Sequence, residues 1–532
     1  MSRLDDIERR IDERMAEIDR RIGRIFGDSS PARTGGDADR AIRRASAGKD
    51  YIDWIKRGRP SSESRFGLDP EPFDFSYLAN LSAGVASRRE PRVFPVKFDL
   101  RSEGVVMPVR DQTPYGTCWA HGAVASLESS FWRRGEKVEF SVNNLVNLSG
   151  FDNGYFNPNV PGMPAGGTPT RSCAYFLRWD GPVFAKDDPY GRPGASRHLP
   201  PVAHVQDVRF IPPMKNASDT GGIKSSVIDI GAVAVPYMHM DDALDNRTGG
   251  YYNPSEKGNG HLVAIIGWDD AYPVSSFSTP PPGPGAWIVR NSWGVNWGDG
   301  GYFYVSYHDA TFGKVKQYPM CVYHGVERTE NYDDVLQYDM LGLIGKVNLG
   351  QSETCVAANV FPAYQDLTVV AVGFYALVPG TSYGVRIYSG CTPDNPASGH
   401  EDGATEGILD WPGFHTVRLA SPVRVSAGSR FSIVMKLNTP GLSYPIPVEF
   451  ADRSMGASKA EAAPGQSFIY DGVKWVDMFS KNATMNICCK AYVKFTGDGE
   501  RSHRMFCKAC GKYSYVERYG NNKCPHCGAW LD

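Results

Sequence analysis

Residues 112–124 read QTPYGTCWAHGAV. A turn-forming run, TPYGT, gives way at Cys118 to small and apolar residues that read as the start of a helix, with a helical stretch near 118–134. Free cysteines are among the most buried residue types and most are inert, so the thiol alone decides nothing. Its position is more informative. The first turn of a helix presents unpaired N–H groups and the positive end of the dipole, both of which favour a thiolate. A nucleophilic thiolate also needs a base, a group that orients the base, and donors for an oxyanion.

The rest of the chain supplies each part. Gln112 lies six residues before Cys118 and can present a side-chain N–H. His261, in GNGHLVAIIGW, opens an apolar strand just after a glycine-rich turn, where an imidazole can reach a cleft rim. Asn291, in WIVRNSWGVNWGDGGYFYVSY, ends another apolar strand. Its amide can accept from one imidazole nitrogen and fix the tautomer, with Trp293 shielding that bond from water. Strand-like runs at 231–237, 261–268 and 286–291 accompany these motifs.

Together the segments PVRDQTPYGTCWA, GNGHLVAIIGW and NSWGVNWGDGGYF resemble the papain family of cysteine peptidases. FDLRSEGVVMPVRDQ at the usual mature start, FSVNNLVNLSG, AGGTP at 165–169 and DPYG extend the resemblance over roughly 94–310. It implies an α+β, two-lobed peptidase with a helical lobe and a β-barrel-like lobe. It also implies a cysteine-type endopeptidase acting on protein or peptide substrates. Cys118 would form the acyl-enzyme, with His261 as acid/base, Asn291 as orienter, and Gln112 with the Cys118 N–H as oxyanion hole. Gly166 and Gly167 would pair with substrate backbone. Thr168, Pro169 and Gly260 would line the pocket for the side chain two residues before the cut, and Trp293 would border the bound substrate. A proline-rich insertion, 272–285, lengthens the interval between His261 and Asn291. Tyr115 and Leu148 stand where relatives keep a disulfide pair, which fits a reduced compartment. His121 replaces an aromatic residue and is read as packing. The alternatives to an endopeptidase are a non-catalytic binding scaffold and an acyl transferase, or transpeptidase, using the same residues.

Beyond 335 short β-type runs recur at 367–376, 383–388, 415–419 and 430–437, separated by Gly, Pro and Ser, as in an antiparallel β-sandwich. NLGQSETCVAANVFPAYQDLTVVAVGFY and GQSFIYDGVKWVDM resemble the lectin-like domain found beside some papain-like enzymes. Trp411 and Trp475 are candidates to stack on sugar rings, or simply to plug the sandwich. The tail, FCKACGKYSYVERYGNNKCPHCGAWLD, carries two Cys-x-x-Cys pairs: Cys507 with Cys510, and Cys524 with Cys527. Four thiolates at this spacing suit a closed tetrahedral Zn2+ site, and the segment resembles a small zinc ribbon, with iron as the alternative metal. No cofactor is expected for catalysis. The other seven cysteines are read as structural thiols, a Cys355–Cys391 bridge being conceivable.

The expected organisation is an amphipathic helix at 1–27 and a linker with a propeptide-like segment at 28–93. The peptidase follows at 94–328, the β-sandwich at 329–497 and the ribbon at 503–532. In 1–27 the stripe Leu4, Ile7, Ile11, Met15, Ile18, Ile22, Ile25 falls on one helix face, as for a coiled coil and self-association, with docking on the chain's own surface as the alternative. Residues 28–49 read as a flexible linker turning helical at its end, and 59–93 as extended. FGLDPEPFDFSYLAN at 66–80 resembles part of the leader of lectin-like peptidases; in this family such a segment runs backwards through the cleft and blocks it. The 532 residues carry a net charge of −2, which gives no case for nucleic acid as a partner. No membrane span and no signal peptide are legible. That pattern leans towards a cytoplasmic location, with export to the cell surface as the alternative.

Overall fold

The computed structural model describes residues 42–57, 65–80, 92–152 except 106, and 166–496 except 192–195, 197–198 and 351. It also describes the backbone of 502–506 and 513–517. The helix expected at 1–27 and the four tail cysteines lie outside the described residues.

The first described elements are strand β1 (Ile42–Arg44) and helix α1 (Lys49–Lys56). The helical lobe is built on α2 (Cys118–Trp132) and α3 (Pro169–Leu177). Every residue of α2 from Cys118 to Phe131 is buried. A helix enclosed on all sides needs its polar side chains satisfied. Ser129 and Ser130 bond back to the carbonyls of Ser126 and Leu127, and Ser129 Oγ also accepts from the Ala232 N–H. Gly122 sets how closely α2 approaches the sheet: a Cβ there would lie 2.0 Å from Leu262 Cδ2. Leu262 directly follows His261, so this contact brings the helix carrying Cys118 up to the strand carrying the imidazole.

The strands of the peptidase region that frame the site include β2 (His204–Ile211), β3 (Val233–His239), β4 (Asn259–Asp269), β5 (Ala286–Arg290) and β6 (Met320–Glu327). They are followed by β7 (Gly345–Leu349), β8 (Thr354–Pro362), β9 (Leu367–Ala376), β10 (Thr381–Ser389), β11 (His400–Leu409), β12 (Gly413–Val425), β13 (Arg430–Asn438), β14 (Ile446–Glu449) and β15 (Cys489–Phe495). The second set is divided among three sheets. One holds β11, β10, β13 and β8 in that order. Along β13, Phe431, Ile433, Met435 and Leu437 point into the core, the period-2 pattern of a strand with one face on a core. In β9 the inward set switches from Leu367 and Val369 to Val372 and Phe374 across an irregularity between Val369 and Ala371. One extra residue there keeps both halves facing inwards.

The second lobe of the peptidase differs from expectation, since it is an open sheet and not a barrel. β15, β9, β12, β2, β6, β3, β4 and β5 lie side by side in one sheet that spans both domains. The join is made by Gly413 and Phe414 of β12, which pair with Arg209 and Val208 of β2. With that edge paired to the next domain, the sheet continues from one domain into the other. Trp411 packs beside the join, with the Arg209 guanidinium 4.5 Å from its ring centroid. Trp475 is half-buried against Tyr470, so neither tryptophan stands free on the surface. All seven described cysteines are buried and unbridged, so the conceivable Cys355–Cys391 disulfide is not formed. Among the described residues no helix is long and apolar enough to cross a membrane.

The leader is folded onto both domains. β1 adds to the edge of β7, Ile42 opposite Leu349 and Arg44 opposite Val347. Tyr51 of α1 is buried and its hydroxyl donates to the Ser454 carbonyl. Residues 66–71 cross the cleft, and after a bend at 72–73 the chain enters a short 3-10 helix at Ser76–Asn80. Phe73, Phe75 and Leu78 are buried in the peptidase core, each such side chain stabilising by about 1.5–3 kcal/mol.

Candidate active site

Cys118 begins α2 behind Thr117, and β4 delivers His261 beside it. His261 Nε2 lies 2.8 Å from Asn291 Oδ1, and the Trp293 ring stacks on the imidazole with centroids 4.5 Å apart. The other imidazole nitrogen, Nδ1, has no hydrogen-bond partner, while the backbone of the next residue, Leu262, bonds the Cys118 sulfur. Asn291 and Gln112 are tied through Ser292: the Ser292 N–H donates to Asn291 Oδ1 and its hydroxyl donates to Gln112 Oε1 at 2.6 Å. This leaves Gln112 Nε2 to donate. It does so to the Tyr115 carbonyl at 2.9 Å and to the Arg65 carbonyl of the leader at 3.2 Å.

The leader therefore fills the cleft. Leu68 pairs in parallel with Gly167. The Gly167 N–H donates to the Gly67 carbonyl and the Asp69 N–H to the Gly167 carbonyl, both at 2.9 Å. The Leu68 N–H donates to the Gly260 carbonyl at 3.3 Å. Gly67 is the crossing point. A Cβ there would lie 1.6 Å from the Gly116 carbonyl oxygen, so only glycine passes this close to the loop before Cys118. Glu71 then reaches the start of α3, accepting from the Thr170 N–H at 3.0 Å and the Thr170 hydroxyl at 2.7 Å. A carboxylate at a helix N-terminus meets unpaired donors and the positive dipole end.

Electrostatics follow from this enclosure. Burial pushes the Cys118 thiol up to about 11, against hydrogen bonds from the backbone of Leu262, Gly67 and Trp119. Burial, with His239 nearby, pulls His261 down to about 3 despite the Asn291 bond. Both groups are neutral at pH 7 in the closed form. Burial dominates over the helix end and the imidazole, because a covered cleft has no water to solvate an ion pair.

The predicted site residues Gln112, Cys118, His261, Asn291 and Trp293 meet at one point, and Gly166, Gly167 and Gly260 line the channel taken by the leader. The side chain of Asp69 lies against Gly166. Thr168 and Pro169 sit at the start of α3, with Thr168 Oγ1 3.0 Å from Thr170 Oγ1, next to Glu71. His121 is buried edge-on to Tyr190, in keeping with a packing role. The sequence reading missed His239 and Asp241, which end β3 and follow it. His239 is buried with its ring 6.2 Å from that of His261. A histidine closing an apolar strand that pairs with the His261 strand was the available signal.

Residues 94–323 match the papain family cysteine protease and residues 335–493 the lectin-like domain. Viral cathepsin of Cydia pomonella granulosis virus is 25% identical over 275 residues, 51% of this chain and 75% of that protein. Cathepsin J of Mus musculus is 29% identical over 215 residues, 39% of this chain but only 59% of its own length. Among solved structures, the cysteine protease and lectin-like domains of Cwp84, a surface layer associated protein of Clostridium difficile, align with a TM-score of 0.70. That alignment is 21% identical and covers 86% of this chain and 98% of Cwp84's. Fold and site thus define a papain-family cysteine peptidase domain, a hydrolase of the thiol protease class. A lectin-like domain follows it in the same chain.

Proposed function

We propose that the chain is a cysteine endopeptidase made in a latent form, with residues 65–80 as its inhibitory segment. The observation that carries this reading is the bond from Gln112 Nε2 to the Arg65 carbonyl beside Cys118. A peptide carbonyl already occupies the oxyanion donor, but on a chain running parallel to the Gly167 strand, the reversed sense of a pro-segment. Once the leader leaves, water reaches Cys118 and His261. The thiolate–imidazolium pair at the start of α2 is then favoured over the neutral pair. The thiolate attacks the substrate carbonyl, whose developing charge is met by Gln112 and the Cys118 N–H. His261 protonates the departing amine, then takes a proton from the water that opens the thioester. Asn291 and Trp293 hold the imidazole for both steps. An acyl transferase would use the same groups, with a competing amine in place of water. A vestigial scaffold is disfavoured, since it has no need of the Gln112–Ser292–Asn291–His261 chain of bonds.

Incubating the full chain beside its Cys118→Ala variant tests this, with an epoxide inhibitor of thiol proteases as label. An adduct on Cys118, and self-cleavage near 88–95 in the unsubstituted chain alone, are expected. A processed chain that takes no label overturns the reading in favour of a scaffold.

Two further parts belong to the proposal. Cys507, Cys510, Cys524 and Cys527 form a donor set suited to one structural Zn2+. Strands Ser502–Phe506 and Tyr513–Glu517 pair antiparallel on either side of the first Cys pair. When bound, the ion would staple a fold too small for a core of its own. One zinc per chain is expected by elemental analysis, lost in Cys507→Ser with Cys524→Ser. For location the exported alternative is preferred. The surface-layer association is that of Cwp84, and the cytoplasmic lean finds no support in these likenesses.

A further inference from the structure

The leader crosses Cys118 with Leu68 and Asp69 on the Gly166–Gly167 side and with Arg65 and Phe66 on the opposite side, against Trp293. If Gly167 and Gly260 serve the acyl half of a substrate, Arg65 and Phe66 lie where the departing half would lie. The Phe66 ring is fully buried there. Its centroid is 5.9 Å from His261 and 5.6 Å from Trp293, both edge-to-face, and 5.6 Å from His239. Hydrogen bonds and ring packing fix the orientation of the His239 ring in the pocket wall. His239 has Nδ1 2.8 Å from the Tyr237 hydroxyl, Nε2 3.2 Å from Asp241 Oδ1, and its ring stacked on Tyr251. Arg65 closes the pocket: its guanidinium pairs with the Asp241 carboxylate at 2.5 Å and lies 5.5 Å from the Trp293 centroid.

We propose that His239, Trp293 and Asp241 form a specificity pocket on the leaving-group side of the cleft. It selects an aromatic residue immediately after the scissile bond, with Arg or Lys beside it. The inference rests on the peptidase reading above. A small residue would leave three ring faces without a partner, and an acidic neighbour would meet Asp241 as a like charge. The reversed course of the leader does not weaken the point, because pocket volume, ring edges and charge act on the side chain whatever the direction of the backbone.

Two measurements on the full chain separate the pocket from the activity. The first is the rate at which iodoacetamide alkylates Cys118, which reports leader opening and needs no catalysis. Phe66→Ala and Phe66→Leu are expected to react at least about tenfold and about threefold faster than the unsubstituted chain, the loss of buried aromatic contacts. Arg65→Ala is expected to open more than Arg65→Lys. The second uses the full chain opened by Gly67→Glu, with quenched peptides carrying Phe, Leu or Ala after the cut. Phe should lead Ala by about tenfold in kcat/KM, and Asp241→Asn should shrink the preference for Arg over Ala at the neighbouring position. Phe66→Leu and Phe66→Ala opening no faster than the unsubstituted chain, or peptides cleaved at equal rates, overturns the pocket and leaves the peptidase intact. No hydrolysis of any peptide, with the alkylation ranking preserved, overturns the peptidase reading while the ring pocket stands.

Discussion

The leader is gripped twice, once in the cleft and once on the lectin-like domain. In the cleft, residues 65–71 are held by backbone hydrogen bonds to Gly167 and Gly260, by the Gln112 amide, and by Glu71 on Thr170. On the lectin-like domain, residues 42–57 are held by an added strand and by aromatic side chains. There Tyr51 is buried, and the Arg44 guanidinium lies 4.3 Å from the Phe450 centroid. A hydrogen bond contributes about 0.5–1.5 kcal/mol net because water competes for it, whereas a buried aromatic side chain contributes about 1.5–3 kcal/mol. Buried aromatic side chains serve both grips, since Phe66 is fully buried in the cleft as Tyr51 is on the lectin-like domain. What sets the cleft grip apart is geometry, since the close approach at Gly67 decides whether the chain can lie against Cys118 at all. In the proposed latent form, the hold on the leader is shared between the two domains.

The sharpest way to break the comparison is at the thiol. Cys118→Ala should lower peptide hydrolysis by about 10^4-fold or more while leaving both grips in place. Residual turnover near the original rate, measured on the opened chain, would remove Cys118 from the reaction. Next in size is Gly67→Glu. Its side chain collides with the Gly116 backbone, so the cleft grip should fail while β1 and α1 stay docked. Epoxide labelling of Cys118 should rise by about 100-fold, the consequence of a lost close approach worth about 3 kcal/mol. Unchanged labelling would mean that the distal grip alone keeps the cleft shut.

A smaller effect comes from Glu71. Burial pushes its carboxyl up from the ordinary 4.5 to about 7. A group whose docked pKa is raised holds the leader best below its free pKa, and that contribution is lost as pH rises through the docked value. His261, held down to about 3 in the docked form, acts in the opposite sense over the same range, so the Glu71 contribution is read as a difference. The ratio of limited-proteolysis rates at residues 65–80, Cys118→Ala chain over the same chain with Glu71→Gln, should rise by about tenfold between pH 5 and pH 8. A ratio that does not change with pH would remove Glu71 from the docking. The smallest effect is expected at the distal grip. Arg44→Ala removes one cation–π contact worth about 0.5–1 kcal/mol, so leader opening by alkylation should rise only a few-fold. A rise as large as that of Gly67→Glu would reverse the roles given to the two grips.

Much of the candidate site was legible because its chemistry demands residue types. A nucleophile, a base, an orienter and an oxyanion donor admit few substitutes, so Cys118, His261, Asn291 and Gln112 stood out in their local motifs. The strands around them were legible too, as apolar runs at 231–237, 261–268 and 286–291 correspond to Val233–His239, Asn259–Asp269 and Ala286–Arg290. His239 was not, because its role depends on which ring comes to face it across the cleft. The barrel-like lobe was misjudged for a related reason. Whether a sheet closes or extends depends on what occupies its edge, and here the pairing of β12 with β2 joins segments about two hundred residues apart.

By itself, the sequence determined the candidate catalytic residue types, the helix and strands that carry them, the β-rich second domain and the two Cys-x-x-Cys pairs of the tail. All of these are written in local spacing and side-chain chemistry. Only the tertiary structure decided that Gly67 lies against Gly116, that Phe66 enters a pocket of three rings, and that one sheet runs through both domains. Those are contacts between distant segments, set by strand register and by approach distances of a few ångströms, which no local pattern encodes.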